Sequence, residues 1–274
     1  MERRQSVPWP RRTAATVRQV PHYQEFDAPT PLRALVECTW RGSLDVDEQP
    51  HRQRVLPDGC MDLIWSGSQL LVAGPDTAAF VTDQQPGQIL TGLRFRPGAA
   101  PGLLGLPATE LRDSRRPLAD LHPLLARRVI ASVEAGHSPE QALIGAVRDT
   151  LSPDGLPVPG LGQAVRLLTE GAGVASTADA LGWTSRSLHR RAVDAFGYGP
   201  STLRRILRFR AACRLAWRGV PAAEVAAVSG YADQAHLSRE VRALAGVPLG
   251  QLLAETPSAA NRSTVLPSGS RSTA

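Results

Sequence analysis

A pattern written twice constrains this chain more than any other feature. The stretch "GWTSRSLHRRAVDAFG" runs from Gly182 to Gly197, and "GYADQAHLSREVRALAG" runs from Gly230 to Gly246. Each opens with a glycine and an aromatic residue. Each then places a leucine (Leu188, Leu237), an arginine two residues later (Arg190, Arg239) and a glycine seven residues after that arginine. Gly182 follows a helical stretch and suits the left-handed backbone just past a helix end. Thr184 is then a good N-cap, with Leu188 as the first inward residue of the next helix. The turn of the second copy is one residue longer, so Asp233 is the matching cap and the insertion falls in the turn. Helix, short glycine turn and helix make a helix-turn-helix unit. The expected inward residues are Ala178, Leu181, Trp183, Leu188 and Val193 in one copy. In the other they are Ala226, Val228, Tyr231, Leu237, Val241 and Leu244.

Between the copies, "PSTLRRILRFRAACRLAWRG" (200–219) reads as one long helix. Leu203, Ile206, Leu207, Ala211 and Leu215 form its inward stripe. Arg204, Arg205, Arg208, Arg210, Arg214 and Arg218 cover the rest. At an α-helical rise the segment Ser201–Arg218 spans roughly 27 Å, against about 34 Å for a turn of DNA. A rod of that length can hold two recognition helices in successive major grooves. The bland alternative is a pair of ordinary helical hairpins with solvated arginines.

Charge placement favours nucleic acid. All 31 basic residues are arginine, which excludes a phosphate-loop lysine and Schiff-base chemistry. The arginine-only usage reads as codon bias toward G and C, but codon bias does not decide position. Residues 1–160 hold 17 arginines and 18 acids, whereas residues 161–255 hold 12 arginines and 7 acids. A basic C-terminal third on a neutral body is the footprint of a nucleic-acid binder.

The rest of the chain divides by texture. Residues 1–28 lack periodicity and are expected to be disordered. Residues 29–151 form a β-rich domain ending in helices, with strands expected at 34–40, 53–56, 61–65, 69–74, 78–83 and 88–95. Turn punctuation such as "PDG" (57–59) and "GPD" (74–76) separates them. A short helical turn (97–107), one helix over 117–136 and one over 138–151 follow, the last capped by Ser138 with Pro139 at its first position. Residues 152–160, rich in proline and glycine, are a linker. Residues 161–255 form the helical domain, and 256–274 a disordered tail. The fold class is therefore α+β in two domains: an N-terminal antiparallel sheet or small barrel with flanking helices, and a C-terminal all-α double helix-turn-helix. No apolar run suits a membrane span. Cys38, Cys60 and Cys213 are odd in number and far apart, which argues against a disulfide framework and for a cytoplasmic protein. No metal-ligand spacing and no cofactor motif is found.

Residues 161–253 resemble the double helix-turn-helix DNA-binding domain of AraC/XylS-family transcription regulators. The match lies in "LGWTSRSLHRRAVDAFGYGPSTLRRILRFRAACRL" and "PAAEVAAVSGYADQAHLSREVRALAGVPLGQLL". It departs at Ala192, Leu237 and Val241, where phenylalanine is frequent, and at Ala235, where a polar residue is common. The upstream "RVLPDGCMDLIW" and "GLRFRPGAAPGLLG" resemble a β-rich domain found ahead of such DNA-binding domains.

The resemblance implies a non-enzymatic regulator whose partner is double-stranded DNA. RNA polymerase and a small-molecule effector are further candidate partners, and the protein is expected as a monomer or homodimer. Ser185, Arg186, Ser187, His189 and Arg190 are the candidate DNA contacts of the first motif. Gln234, Ala235, His236 and Arg239 are those of the second. Arginine grips guanine with two hydrogen bonds, and Arg190 and Arg239 are placed for phosphate. For each histidine a plain solvent-facing role weighs equally. Asp58, Cys60, Asp62, Arg94 and Arg96 are candidate effector contacts, against a surface ion-pair network as the simpler reading. A different function class is an enzyme fused to a DNA-binding module, such as a methyl-accepting DNA-repair protein, with one of the cysteines as acceptor.

Overall fold

A computed structural model describes residues 22–151 and 157–255. The N-terminal domain begins with seven strands: β1 (His22–Asp27), β2 (Val36–Ser43), β3 (His51–Val55), β4 (Met61–Trp65), β5 (Leu70–Ala73), β6 (Phe80–Gln84) and β7 (Ile89–Phe95). Then come α1 (Ala100–Leu104), a 3₁₀ turn (Ala108–Glu110), β8 (Arg115–Pro117), α2 (Leu118–Leu121), α3 (Pro123–Glu134) and α4 (Pro139–Thr150). Six strands form one antiparallel sheet in the order β1-β2-β7-β4-β5-β8. The other two, β3 and β6, pair only with each other. The sheet does not close into a barrel: β1 and β8 stand at its two edges and do not pair with each other.

Alternation gives the sheet two different faces. Leu63, Val72, Leu93 and Phe95 pack against Leu125, Val129, Leu143 and Val147 of α3 and α4. The opposite face carries Tyr23, Glu25, Trp40, Asp62 and Arg94, with Glu25 paired to Trp40 and Asp62 to Arg94 in the ladder. Gly92 is required there: a Cβ would lie 2.0 Å from the Trp40 indole, which crosses the strand at that point.

The expected strands correspond closely to β2 through β7, with two additions. Strand β1 occupies residues assigned to the disordered 1–28 segment, which corrects that boundary. Its Tyr23 donates to Glu25 at 2.9 Å within the strand, and the two reach Trp40 and Arg94 across the sheet. Strand β8 is three residues long and has no apolar run to announce it. The single helix expected over 117–136 is broken into α2 and α3. Pro123 has no amide to continue α2, and His122 takes the extended conformation usual before proline, with φ −144°. Helix α4 has the expected start, and its cap is a full capping box between Ser138 and Gln141. Residues 1–21, linker residues 152–156 and the 256–274 tail lie outside the described residues.

The C-terminal domain is helical: α5 (Leu161–Thr169), α6 (Val174–Ala180), α7 (Ser185–Phe196), α8 (Pro200–Trp217), α9 (Ala222–Val228), α10 (Gln234–Ala245) and α11 (Leu249–Ala254). Helix α8 belongs to two cores. Leu203, Ile206 and Leu207 pack with Phe196 and Leu168 around α7. Phe209, Ala212, Cys213 and Ala216 pack with Leu237, Val241 and Leu244 of α10. The expected single stripe is thus corrected in its second half: Ala211 and Leu215 are only half-buried, because the buried face rotates to follow the second motif. Val228 is also corrected from core to surface, at 68% exposure.

Candidate nucleic-acid interface

Each recognition helix is built by the same local rules. The Thr184 hydroxyl accepts from the amide of Ser187 at 3.1 Å, and the Asp233 carboxylate accepts from that of His236 at 2.6 Å. Gly182 and Gly230 take the left-handed conformation in the turns, with φ of 65° and 72°. Gly197 and Gly246 end the helices likewise, with φ of 79° and 74°. Below the surface, Leu188 and Leu237 are fully buried at matching positions.

The opposite faces are open. Ser185, Arg186, His189 and Arg190 are exposed on α7, with Ser187 half-buried. Ser187 accepts a hydrogen bond from Arg191 Nε at 3.3 Å, so its hydroxyl is partly occupied within the motif. The His189 ring leans on Gly199, where an added Cβ would approach it to 2.8 Å. On α10, Gln234, Ala235, Arg239 and Arg242 are exposed. His236 is half-buried. Its ring meets Tyr231 edge-on at 5.2 Å, and Nδ1 accepts from the amide of Ala232 at 3.4 Å. A shallow groove beside this helix is lined by Ser238, Arg239, Arg242, Leu249 and Leu253.

The arginines of α8 are not a uniform solvated coat. Arg205 makes a bidentate pair with Glu240 of α10, at 2.7 and 3.0 Å. Its guanidinium pulls the Glu240 carboxyl below the usual range. Arg208 lies over the Tyr231 ring at 4.2 Å and donates to the Gly230 carbonyl. Arg210 donates to the Asp58 carbonyl in the other domain. Arg204 and Arg218 remain exposed.

The N-terminal candidates separate into two groups. Asp58, Asp62 and Arg94 come together: Arg94 Nε lies 3.2 Å from Asp62 and 3.8 Å from Asp58, and Arg94 is 2% exposed. Glu25 joins at 3.7 Å, and Trp40 Nε1 donates to Asp62 at 2.7 Å. Burial pushes the Asp62 carboxyl up, against the pull of Arg94. Arg96 stands apart, half-exposed, pairing with Glu37 at 2.7 Å and donating to the Arg33 carbonyl. Glu25, Tyr23 and Trp40 were not among the sequence candidates. The alternation of β1 and β2 is the signal that would have placed them. Cys60 is buried beside Asp58, which caps its amide at 2.8 Å. Burial pushes the Cys38 and Cys213 thiols up to about 12, and raises the Cys60 thiol well above its ordinary value.

Residues 177–255 match a helix-turn-helix domain family. That segment is an AraC-type DNA-binding domain. With it the chain is a DNA-binding transcription regulator. Residues 24–117 match a domain family of unknown function, DUF6597. None of the curated proteins matches the chain. Among solved structures the chain is similar to ToxT from Vibrio cholerae O395, at 13% identity and a TM-score of 0.42, over 86% of this chain and 98% of that one. A second ToxT crystal form from Vibrio cholerae gives 12% and 0.40, over 85% and 98%. No described helix is long and apolar enough to cross a membrane, and no described cluster of His, Cys, Asp and Glu could hold a metal ion.

Proposed function

We propose that the protein recognises a specific DNA sequence by laying α7 and α10 of one chain in successive major grooves on one face of the duplex. The observation that carries this reading is the pair of exposed helix faces, identically capped and closed, joined by the single 18-residue helix α8. That helix spans roughly 27 Å, close to the repeat of one DNA turn. Arg186 and Gln234, in the first turn of their helices, are the base readers. Arg190 and Arg239, one turn further on, are the phosphate contacts. Ser185, His189 and Ala235 flank them on the open faces. Ser187 and His236 are held by contacts within the motif and support the helix start.

The protein acts in the cytoplasm on promoter DNA, as a monomer or homodimer, with RNA polymerase as the machinery it influences. The Arg94 cluster, tied to α8 through Asp58, is where a small-molecule effector would be felt. A methyl-accepting enzyme is disfavoured because such chemistry uses a thiolate, and burial keeps all three thiols protonated at neutral pH.

Selection from a random DNA library with the full chain is expected to return two half-sites about 10–10.5 base pairs apart. Inserting five base pairs between them turns one half-site to the opposite face, and binding should fall to the level of a single half-site. Equal tolerance of five- and ten-base-pair insertions would sink the two-groove reading.

A further inference from the structure

The N-terminal domain touches both recognition helices, and it touches them at the same place. Arg112, between the 3₁₀ turn Ala108–Glu110 and β8, donates to the carbonyl of Gly197 at 3.3 Å. Arg54, in the β3–β6 ribbon, donates to the carbonyl of Ala245 at 2.8 Å. Gly197 and Ala245 stand at the carbonyl ends of α7 and α10. A helix end carries partial negative charge from its unpaired carbonyls, so a guanidinium is favourable there. The amino ends, which carry Arg186 and Gln234, stay clear of both contacts.

Packing surrounds each grip. At the first helix the Phe196 ring fills the space over Gly98, where a Cβ would lie 2.7 Å from the ring. Gly197 sits so close to Pro75 and the Ala108 carbonyl that a Cβ would meet them at 2.9 and 3.2 Å. At the second, the amide of Ala79 donates to the Leu244 carbonyl at 2.7 Å, and Leu56 and Ala79 enter the core of that motif. Arg54 also pairs with Glu255 at 2.9 Å, past the end of α11.

The two grips share one frame. The segments that join the ribbon to the sheet, 56–60 and 74–79, also reach the C-terminal domain. The first also meets α8: Asp58 accepts from Arg210, and Gly59 faces Leu203, where a Cβ would lie at 3.3 Å. The second is pinned from within its own domain. Thr77 donates from its amide to Asp113 at 2.6 Å, and Asp76 takes both terminal nitrogens of Arg115 at 2.8 and 2.6 Å.

We propose that the N-terminal domain sets the distance between the two recognition helices, with Arg112 on Gly197 and Arg54 on Ala245 as the positioning residues that decide which half-site spacing the protein accepts. Helix α8 packs into the core of each motif and joins them along its length. The contacts at the carbonyl ends of α7 and α10 add a second brace, from the N-terminal domain, to the one that α8 supplies. The spacing claim rests on the two-groove reading; the distance claim does not.

The test therefore has a readout without DNA and one with it, both on the full chain. Spin labels at Ser185→Cys and Gln234→Cys report the distance between the helix starts, the native thiols being buried. The labelled parent should give a single narrow distribution, and the Arg54→Gln/Arg112→Gln double variant a broad one. Each single variant should fall between, and serves if the double variant does not fold. Folding is checked by the melting transition. In the unlabelled proteins, competition across DNAs with spacing changed by one or two base pairs should show a preference of about tenfold in the parent, flattened in the double variant, because a loosened link no longer favours one separation. A folded double variant with an unchanged, narrow distance distribution overturns the proposal. A parent indifferent to spacing, with the distribution still broadening in the variant, overturns the two-groove reading and leaves the distance role supported.

Discussion

In the first motif the turn aromatic, Trp183, carries the guanidinium of Arg191 from its own recognition helix, 4.8 Å from the ring. In the second, Tyr231 carries that of Arg208 from α8. The two motifs meet the same need with opposite partners, and one position explains the difference. The residue after the shared arginine is Arg191 in the first copy and Glu240 in the second. An acid at that place draws Arg205 and Arg208 onto α10, so the second motif is tied to α8 by charge. An arginine there stacks back on its own turn and leaves α8 free of it. The first motif is held instead by apolar volume: Phe196 fills its core where the second copy has only Ala245. A repeat can thus keep its caps and glycines while its two copies are anchored by different forces.

The largest effect should come from that volume. Phe196→Ala removes a fully buried ring and should cost about 3–5 kcal/mol of stability, measured by denaturant unfolding. Ala245→Gly, at the matching position, should cost far less, on the order of 1 kcal/mol, mostly as helix propensity. Similar losses at the two sites would undo the contrast.

DNA reading should not follow the anchoring. Arg186→Ala should lose about 1–3 kcal/mol of base discrimination in one half-site, and Gln234→Ala in the other. Arg208→Ala should lower stability without altering the selected sequence, since its guanidinium is committed to Tyr231 and Gly230. A changed sequence preference in Arg208→Ala, from library selection, would place it at the DNA instead.

The ionic anchor gives a smaller, pH-dependent effect. Glu240→Gln should cost on the order of 1 kcal/mol at neutral pH, a bidentate but half-exposed pair being worth no more. Because Arg205 holds the Glu240 carboxyl below its unfolded value, the stabilisation is present above that unfolded value, about 4.3. It is lost as the pH falls through the lower folded one. Melting curves from pH 7 downward should show the parent approaching Glu240→Gln on acidification, and a constant gap would contradict the pairing. Smallest of all, Arg191→Ala should cost under about 1 kcal/mol, the usual worth of an exposed cation–ring contact.

Much of this was legible in the residues. Caps, turn glycines and inward leucines obey short-range rules, so Thr184, Asp233, Gly182, Gly246, Leu188 and Leu237 could be placed from spacing alone. So could strands β2 through β7, whose apolar runs are bounded by proline, glycine and aspartate. The outward placement of Arg186, Arg190 and Arg239 on α7 and α10 followed from the same periodicity.

What spacing could not carry is anything that depends on a partner far along the chain. The arginines of α8 look alike in sequence, and only the packed domain separates Arg205 and Arg208, bound to α10, from Arg204 and Arg218 in solvent. Arg94 and Arg96 are two residues apart and share a strand face by alternation. One is sealed among Asp58, Asp62 and Glu25, and the other meets Glu37 at the surface. The "PDG" and "GPD" turns read as punctuation and prove to be part of the surface that meets the second domain. Local dihedral and periodicity preferences act over a few residues and are written in the sequence directly. Ion pairing, burial and contact between domains arise only when distant segments are brought within a few ångströms, and that choice belonged to the tertiary structure.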